Sequence, residues 1–224
     1  MKILGQPGSY TKTLLYEELR GIFVYLIISV IDLFIAFMIK TKSHYFVPWG
    51  FITILPIIYI FIKIQNSRIQ ILILLSGING ERKVARYLKK GGYDFIFHGY
   101  VGSEKNGDCD HLVVGPYIAV IETKNSSGVV RAIGEGRLSV NGRAMHRKPL
   151  SQARKEAQSI SKVLGENITP ILCITNMLGD PQYLEGVWVC SANHINKIIN
   201  LKCKKYNHSD IKIFYEKLIK NSTL

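Results

Sequence analysis

Cysteine is scarce in this chain and follows no ligand pattern. Cys109, Cys173, Cys190 and Cys203 form no CxxC pair and no tight cluster with histidine, which argues against a zinc knuckle and against a dense disulfide framework. A reducing, cytoplasmic setting is expected. Acids are also short: 16 Asp plus Glu stand against 29 Lys plus Arg, an excess of 13 positive charges. The expected partners are therefore polyanions, either nucleic acid or anionic lipid. No internal repeat or low-complexity tract interrupts the sequence, and 224 residues suffice for one ordinary domain with an appendage.

Hydrophobicity is concentrated before residue 77. Residues 21–39 (GIFVYLIISVIDLFIAFMI) are apolar apart from Ser29 and Asp32, and a helix of that length reaches about 28 Å, close to a bilayer core. Residues 46–62 are uncharged, with Trp49 and Tyr59 near the ends as interfacial aromatics and Pro48 and Pro56 as bends. The expectation is a transmembrane helical hairpin. The first run is too long, and its flanks unsuitable, for a signal peptide. Lys12 and Arg20 before the pair and Lys63 and Arg68 after it outweigh Lys40 and Lys42 in the loop, so both termini are expected inside. That places the protein in the plasma membrane as a multi-pass protein with its soluble domain cytoplasmic. Asp32 at bilayer depth suggests a helix-packing contact, including one between copies in a homo-oligomer. Residues 69–75 (IQILILL) are too short to span again and continue the second helix or lie at the interface.

From Gly77 the pattern becomes that of a compact α/β domain. Val84, Tyr87 and Leu88 form one stripe of a helix over 81–90 that Gly91-Gly92 ends. Strands are expected at 93–101, 110–114 and 117–124, with a further extended pair at 129–133 and 137–140. Leu150, Ala153, Ala157, Ile160 and Leu164 mark an amphipathic helix over 150–164. Residues 169–175 and 187–189 read as buried strands and 210–219 as a closing helix. The core order is αβββαβ, a mixed sheet flanked by helices.

The chemistry concentrates in the first strands. In residues 117–124 (YIAVIETK) the strand period puts Ile118, Val120, Glu122 and Lys124 on one face. Asp110 opens the preceding strand, so Asp110 and Glu122 fall within reach of one cation; Asp108, of the same parity, competes with Asp110. Converging carboxylates repel unless a hard cation lies between them, and Mg²⁺ takes one or two carboxylates with waters and phosphate oxygens. Lys124 beside it would orient water and offset charge developing in phosphodiester cleavage. A plain Glu122–Lys124 ion pair is the alternative. His98 and His111 read as structural histidines.

These residues resemble the nuclease-related domain (NERD) family of the PD-(D/E)xK nuclease superfamily. The matching pieces are Gly80-Glu81, residues 107–114 (GDCDHLVV), residues 120–124 (VIETK), Gly128, and Pro149 followed by Gln152, and they cover roughly 79–176. The resemblance implies a restriction-endonuclease-like core, a metal site of Asp110 and Glu122 holding Mg²⁺ or Mn²⁺, a catalytic Lys124, and supporting roles for Glu81 and Gln152. Glu81 also reads as an acid favoured in a helix's first turn, and Gln152 as an ordinary polar flank. The chain thus divides into an N-terminal cytoplasmic segment (1–20), a transmembrane hairpin (21–62), a linker (63–78), the nuclease-like core (79–176) and a C-terminal extension (177–224).

Residues 77–224 carry 22 Lys plus Arg against 13 Asp plus Glu. Arg131, Arg137, Arg143, Arg147, Lys148, Arg154 and Lys155 stand beside a single acid, Glu135, a run suited to tracking phosphates. A solvated face or lipid-headgroup contact is the alternative. Two functions follow: Mg²⁺-dependent hydrolysis of nucleic acid, DNA before RNA, at a membrane, or a catalytically silent module binding nucleic acid, anionic lipid or a protein partner.

Overall fold

The computed structural model describes residues 1–40, 47–101, 108–145 and 148–222. Two compact units result: an α/β unit of residues 1–10 and 77–224, and a helical unit of residues 11–76.

The helical unit contains most of α1 (Ser9–Lys40) and the first part of α2 (Val47–Leu88). Its two helices meet through Tyr25 and Tyr59, edge to face at 6.2 Å, with Lys63 Nζ 5.9 Å above the Tyr25 ring. Ser67 donates to Glu18. Among the described residues no helix is long and apolar enough to cross a membrane. The spanning hairpin expected at 21–39 and 46–62 is therefore not found there. Asp32 is the one charged residue within 21–39, and the side chains of 33 and 36–40 lie outside the description. Residues 41–46, and the side chains of 47–57, lie outside the description. Apolar side chains of α1 nevertheless face outward, with Phe23 64%, Val30 66% and Phe34 63% exposed. Residues 63–78, expected as a linker, are helical throughout.

The α/β unit is a mixed sheet. Its strands are β1 (Lys2–Leu4), β2 (Phe95–Val101), β3 (Asp108–Val114), β4 (Ile118–Gly134), β5 (Arg137–Val140), β6 (Arg143–Ala144), β7 (Thr169–Leu178), β8 (Gln182–Leu184) and β9 (Val187–Cys190). The order across the sheet is β1-β2-β3-β4-β7-β9-β8, and β5 and β6 extend the far half of β4. β2, β3 and β4 run antiparallel as a meander; β4 with β7, and β7 with β9, are parallel. Parallel strands buried on both faces demand continuous apolar runs, and Ile171 to Ile174 of β7 are all fully buried.

Each face carries helices. On one, Ala119 and Ile121 of β4 pack with Val84 and Leu88 of α2 and with α4 (Ile195–Lys202). On the other, Ile118 and Val120 pack with Ala157, Ile160 and Leu164 of α3 (Pro149–Leu164) and with α5 (His208–Asn221). The period of two along β4 therefore hands Glu122 and Lys124 to the α3 face. The expected core order αβββαβ is present as the end of α2, β2, β3, β4, α3 and β7. Strands β1, β6 and β8 and helix α4 were not expected, and the extended segment at 129–133 is the second half of β4 rather than a separate strand.

Candidate functional site

The site forms where β3 and β4 part. Their ladder runs from Val114↔Ile118 to His111↔Ile121 and would next pair Asp110 with Glu122. There the Asp110 side chain replaces the ladder, its Oδ2 accepting the Thr123 backbone N–H at 2.7 Å. Beyond, the pairing of β4 with β7 shifts register between Lys124 and Ser127, so a bulge re-aims the strand end. This local break projects Asp110, Glu122 and Lys124 to one place.

Lys124 Nζ donates to Glu122 Oε1 and, at 3.3 Å, to Gln152 Oε1. Gln152 Nε2 donates in turn to Glu156 Oε1 at 3.0 Å. Gln152 and Glu156 stand one turn apart on the same side of α3. Glu156 is 3% exposed and Glu122 is 1% exposed. Oε2 of each has no hydrogen-bond partner among the described residues. A buried carboxylate oxygen without a donor is costly, so this gap calls for either a proton or a cation.

Electrostatics agree. Burial pushes Asp110 well above the ordinary carboxylate range, and Glu122 and Glu81 add to it, opposed by the Thr123 N–H and Lys124. Burial, then Glu122 and Asp110, push Glu156 up to about 10. Burial alone would lower Lys124, but Glu122, Asp110 and Glu156 together hold its ammonium above the usual value. Three acids crowd one ammonium. Their hard oxygens suit Mg²⁺ or Mn²⁺, and an excess of buried negative charge is what such an ion relieves. Among the described residues no three His, Cys, Asp or Glu side chains form a ready-made metal cage. The fit is therefore to a cation held by one or two carboxylates and completed by water and phosphate oxygens, the usual mode for Mg²⁺.

Residues 76–191 match the family described as the nuclease-related domain. The chain belongs to the nuclease-related domain family. No curated protein and no solved structure matches it.

Within this nuclease-related domain the expected site residues fall into two groups. Asp110, Glu122, Lys124 and Gln152 are brought together. Glu81 stands on another element: it is buried on α2, accepts the Gly8 backbone N–H, and its charge acts on Asp110. The side chain of Asp108, and Gly107, lie outside the described residues. Two glycines of the motif serve close packing. A Cβ on Gly80 would lie 2.7 Å from Asn125 Cβ, which fixes α2 against β4, and one on Gly128 would lie 2.1 Å from Asn141 Oδ1. Glu156 was not expected: in the sequence it is a single acid within the apolar stripe Ala153, Ala157, Ile160.

The basic run also divides. Arg137 and Lys148 pair with Glu135 at 2.6 and 3.6 Å, and Arg154 with Glu185 at 3.4 Å. Arg131, Arg143 and Lys155 are exposed, with no acidic partner among the described residues, and Arg147 lies outside them. Arg143 borders a cavity of about 490 Å³ with Ser126, Ser127, Val140, Asn141 and Met145. That cavity begins two residues beyond Lys124 on β4. His98 and His111 form a buried pair, Nδ1 to Nδ1 at 2.7 Å.

Proposed function

We propose that this nuclease-related domain hydrolyses phosphodiester bonds of nucleic acid, DNA before RNA, using Mg²⁺ or Mn²⁺ held by Asp110 and Glu122. The observation that carries this reading is the cluster of buried Glu122 and Glu156 with half-buried Asp110 around Lys124, with two carboxylate oxygens lacking donors. The cation would polarise a phosphoryl oxygen and lower the pKa of a bound water. Asp110 and Glu122 hold it at the strand break. Lys124, kept charged by its neighbours, orients the attacking water and stabilises charge developing on phosphorus. Gln152 holds the ammonium from the helix side. Arg143, with Arg131 and Lys155, receives the flanking phosphates, while Glu81 restrains the Gly8 segment and adds negative potential at Asp110.

We further propose that the helical unit attaches the protein to a membrane, with the α/β unit on its cytoplasmic side. Exposed apolar side chains such as Phe23, Val30 and Phe34, on a chain with 13 excess positive charges, support an apolar phase edged by anionic headgroups. Flotation with anionic vesicles tests this, and failure to float refutes it.

A second reading has its own support. Lys124 is ion-paired with Glu122, the arrangement that a catalytically silent module binding nucleic acid, lipid or a protein partner would keep. Calorimetric Mg²⁺ titration together with cleavage of labelled DNA and RNA separates the two. Asp110→Asn and Glu122→Gln should abolish both Mg²⁺ binding and cleavage. Wild-type protein that binds no divalent cation and cuts neither substrate leaves the silent module.

A further inference from the structure

Gln152 faces two groups with opposite demands. Lys124 offers only donors, so it needs an acceptor; Glu156 Oε1 accepts, so it needs a donor. Only one orientation of the Gln152 amide satisfies both, carbonyl to Lys124 at 3.3 Å and amide nitrogen to Glu156 at 3.0 Å. The other orientation would set N–H against ammonium and oxygen against carboxyl. Glu156 itself has little freedom, being 3% exposed and set into the buried stripe of α3 with Ala153, Ala157 and Ile160.

We propose that Glu156 is a positioning residue: by accepting the Gln152 amide N–H it turns the Gln152 carbonyl to Lys124 and so fixes the ammonium over Glu122 and Asp110. Lys124 then stands between two anchors, Glu122 on its own strand and Gln152 on the facing helix. Without Glu156 the amide is free to turn over, and the ammonium keeps one anchor. The effect on turnover rests on the phosphodiesterase reading, whereas the effect on Lys124 does not.

The test uses the full chain as wild type, Glu156→Leu, Gln152→Ala and the double variant. Acylation of Lys124 by acetic anhydride is followed by peptide mapping, with Lys162 as internal reference. Cleavage is measured in parallel as kcat and KM. Glu156→Leu, which has no acceptor, should raise Lys124 acylation several-fold, Gln152→Ala should do the same, and the double variant should exceed neither. That non-additivity is decisive, because a purely electrostatic effect of removing a carboxyl persists in the Gln152→Ala background and a positioning effect does not. In an active enzyme, kcat should fall about 10- to 100-fold, the scale of a misplaced catalytic group, with KM little changed. Unchanged Lys124 reactivity in Glu156→Leu, or additive increases in the double variant, overturns the proposal. So does a collapse of Mg²⁺ affinity with Lys124 reactivity unchanged, since Glu156 would then be a cation ligand. If Glu156→Leu does not fold by circular dichroism, Gln152→Ala alone decides, and wild-type Lys124 reactivity there overturns the proposal. If wild-type protein cuts nothing, the phosphodiesterase reading fails while Lys124 acylation still decides this one.

Discussion

Replacing Glu156 by glutamine should make the metal-free protein more stable at neutral pH. The native structure shifts this carboxyl from 4.5 to about 10, so between those values the folded protein keeps a proton that the unfolded chain has released. Stability therefore falls as pH rises across the window. Each unit costs about 1.4 kcal/mol, which accumulates to roughly 3 kcal/mol at pH 7. Coupling to Glu122 and Asp110 spreads that penalty over the cluster, and about 1–3 kcal/mol is the expected gain. Glutamine avoids the penalty while still accepting from Gln152 and offering N–H to Glu122. Urea unfolding of the full chain in a chelator at pH 5, 7 and 9 measures it: the variant's advantage should be small at 5, clear at 7 and larger at 9. A difference that stays constant across the three values, or a variant less stable at pH 7, refutes a protonated carboxyl in this site. Stabilisation on removing a functional group is itself the mark of a site built for something other than stability.

Three further outcomes follow from other parts of the α/β unit. Gly128→Ala should cost about 2–3 kcal/mol in thermal or urea unfolding, since φ is +138° and the new Cβ meets Asn141; Asn141→Ala in the same chain should restore only part of it, because the backbone strain remains. Burial, with Lys89 beside it, lowers His98 from 6.5 to about 4, so the unfolded chain takes up a proton first as pH drops. Its stability contribution should be full above pH 6.5 and lost towards pH 4, by about 3 kcal/mol, and His98→Asn should show a flatter acid limb; identical limbs would be against it. Changing Arg131, Arg143 and Lys155 to glutamine should reduce the salt slope of DNA binding by about one unit per lost phosphate contact, while Arg137→Gln or Arg154→Gln should change it less, because those cations already serve Glu135 and Glu185. Equal effects from both groups would remove the distinction.

Much of this architecture is legible in the amino-acid sequence where periodicity and burial coincide. Strand β5 lies where alternation places it, and α3 starts one residue before its first apolar stripe position because Pro149 favours the first turn. Asp110, Glu122, Lys124 and Gln152 can be picked from strand parity and the family motif together. The rest depends on non-local facts. Residues 125–128 (NSSG) carry β4 on through a bulge, where Thr175 of β7 donates to Asn125 and Ser126 and holds the strand in place. Glu156 was passed over because its neighbours make it look like one polar break in a core-facing stripe; only α3 lying across Glu122 gives that acid a partner. Three residues of β1 carry no pattern of their own, and their partner lies more than ninety positions away.

That first strand has a consequence for the order of assembly. Lys2 pairs with Phe95, so β1 leaves the ribosome well before its partner, a wait on the order of 5–20 s at ordinary synthesis rates. The intervening helices, however, fold from local contacts on a far shorter timescale. Once Glu18 has met Ser67 and Tyr25 has met Tyr59, the open chain between β1 and β2 is reduced from the whole intervening length to short flanks, and its closure entropy falls accordingly. The helical unit should therefore act as a kinetic staple. Variants that disrupt its hairpin contacts should slow formation of the sheet edge at β1 while leaving the β2-β3-β4 meander to form at its own rate.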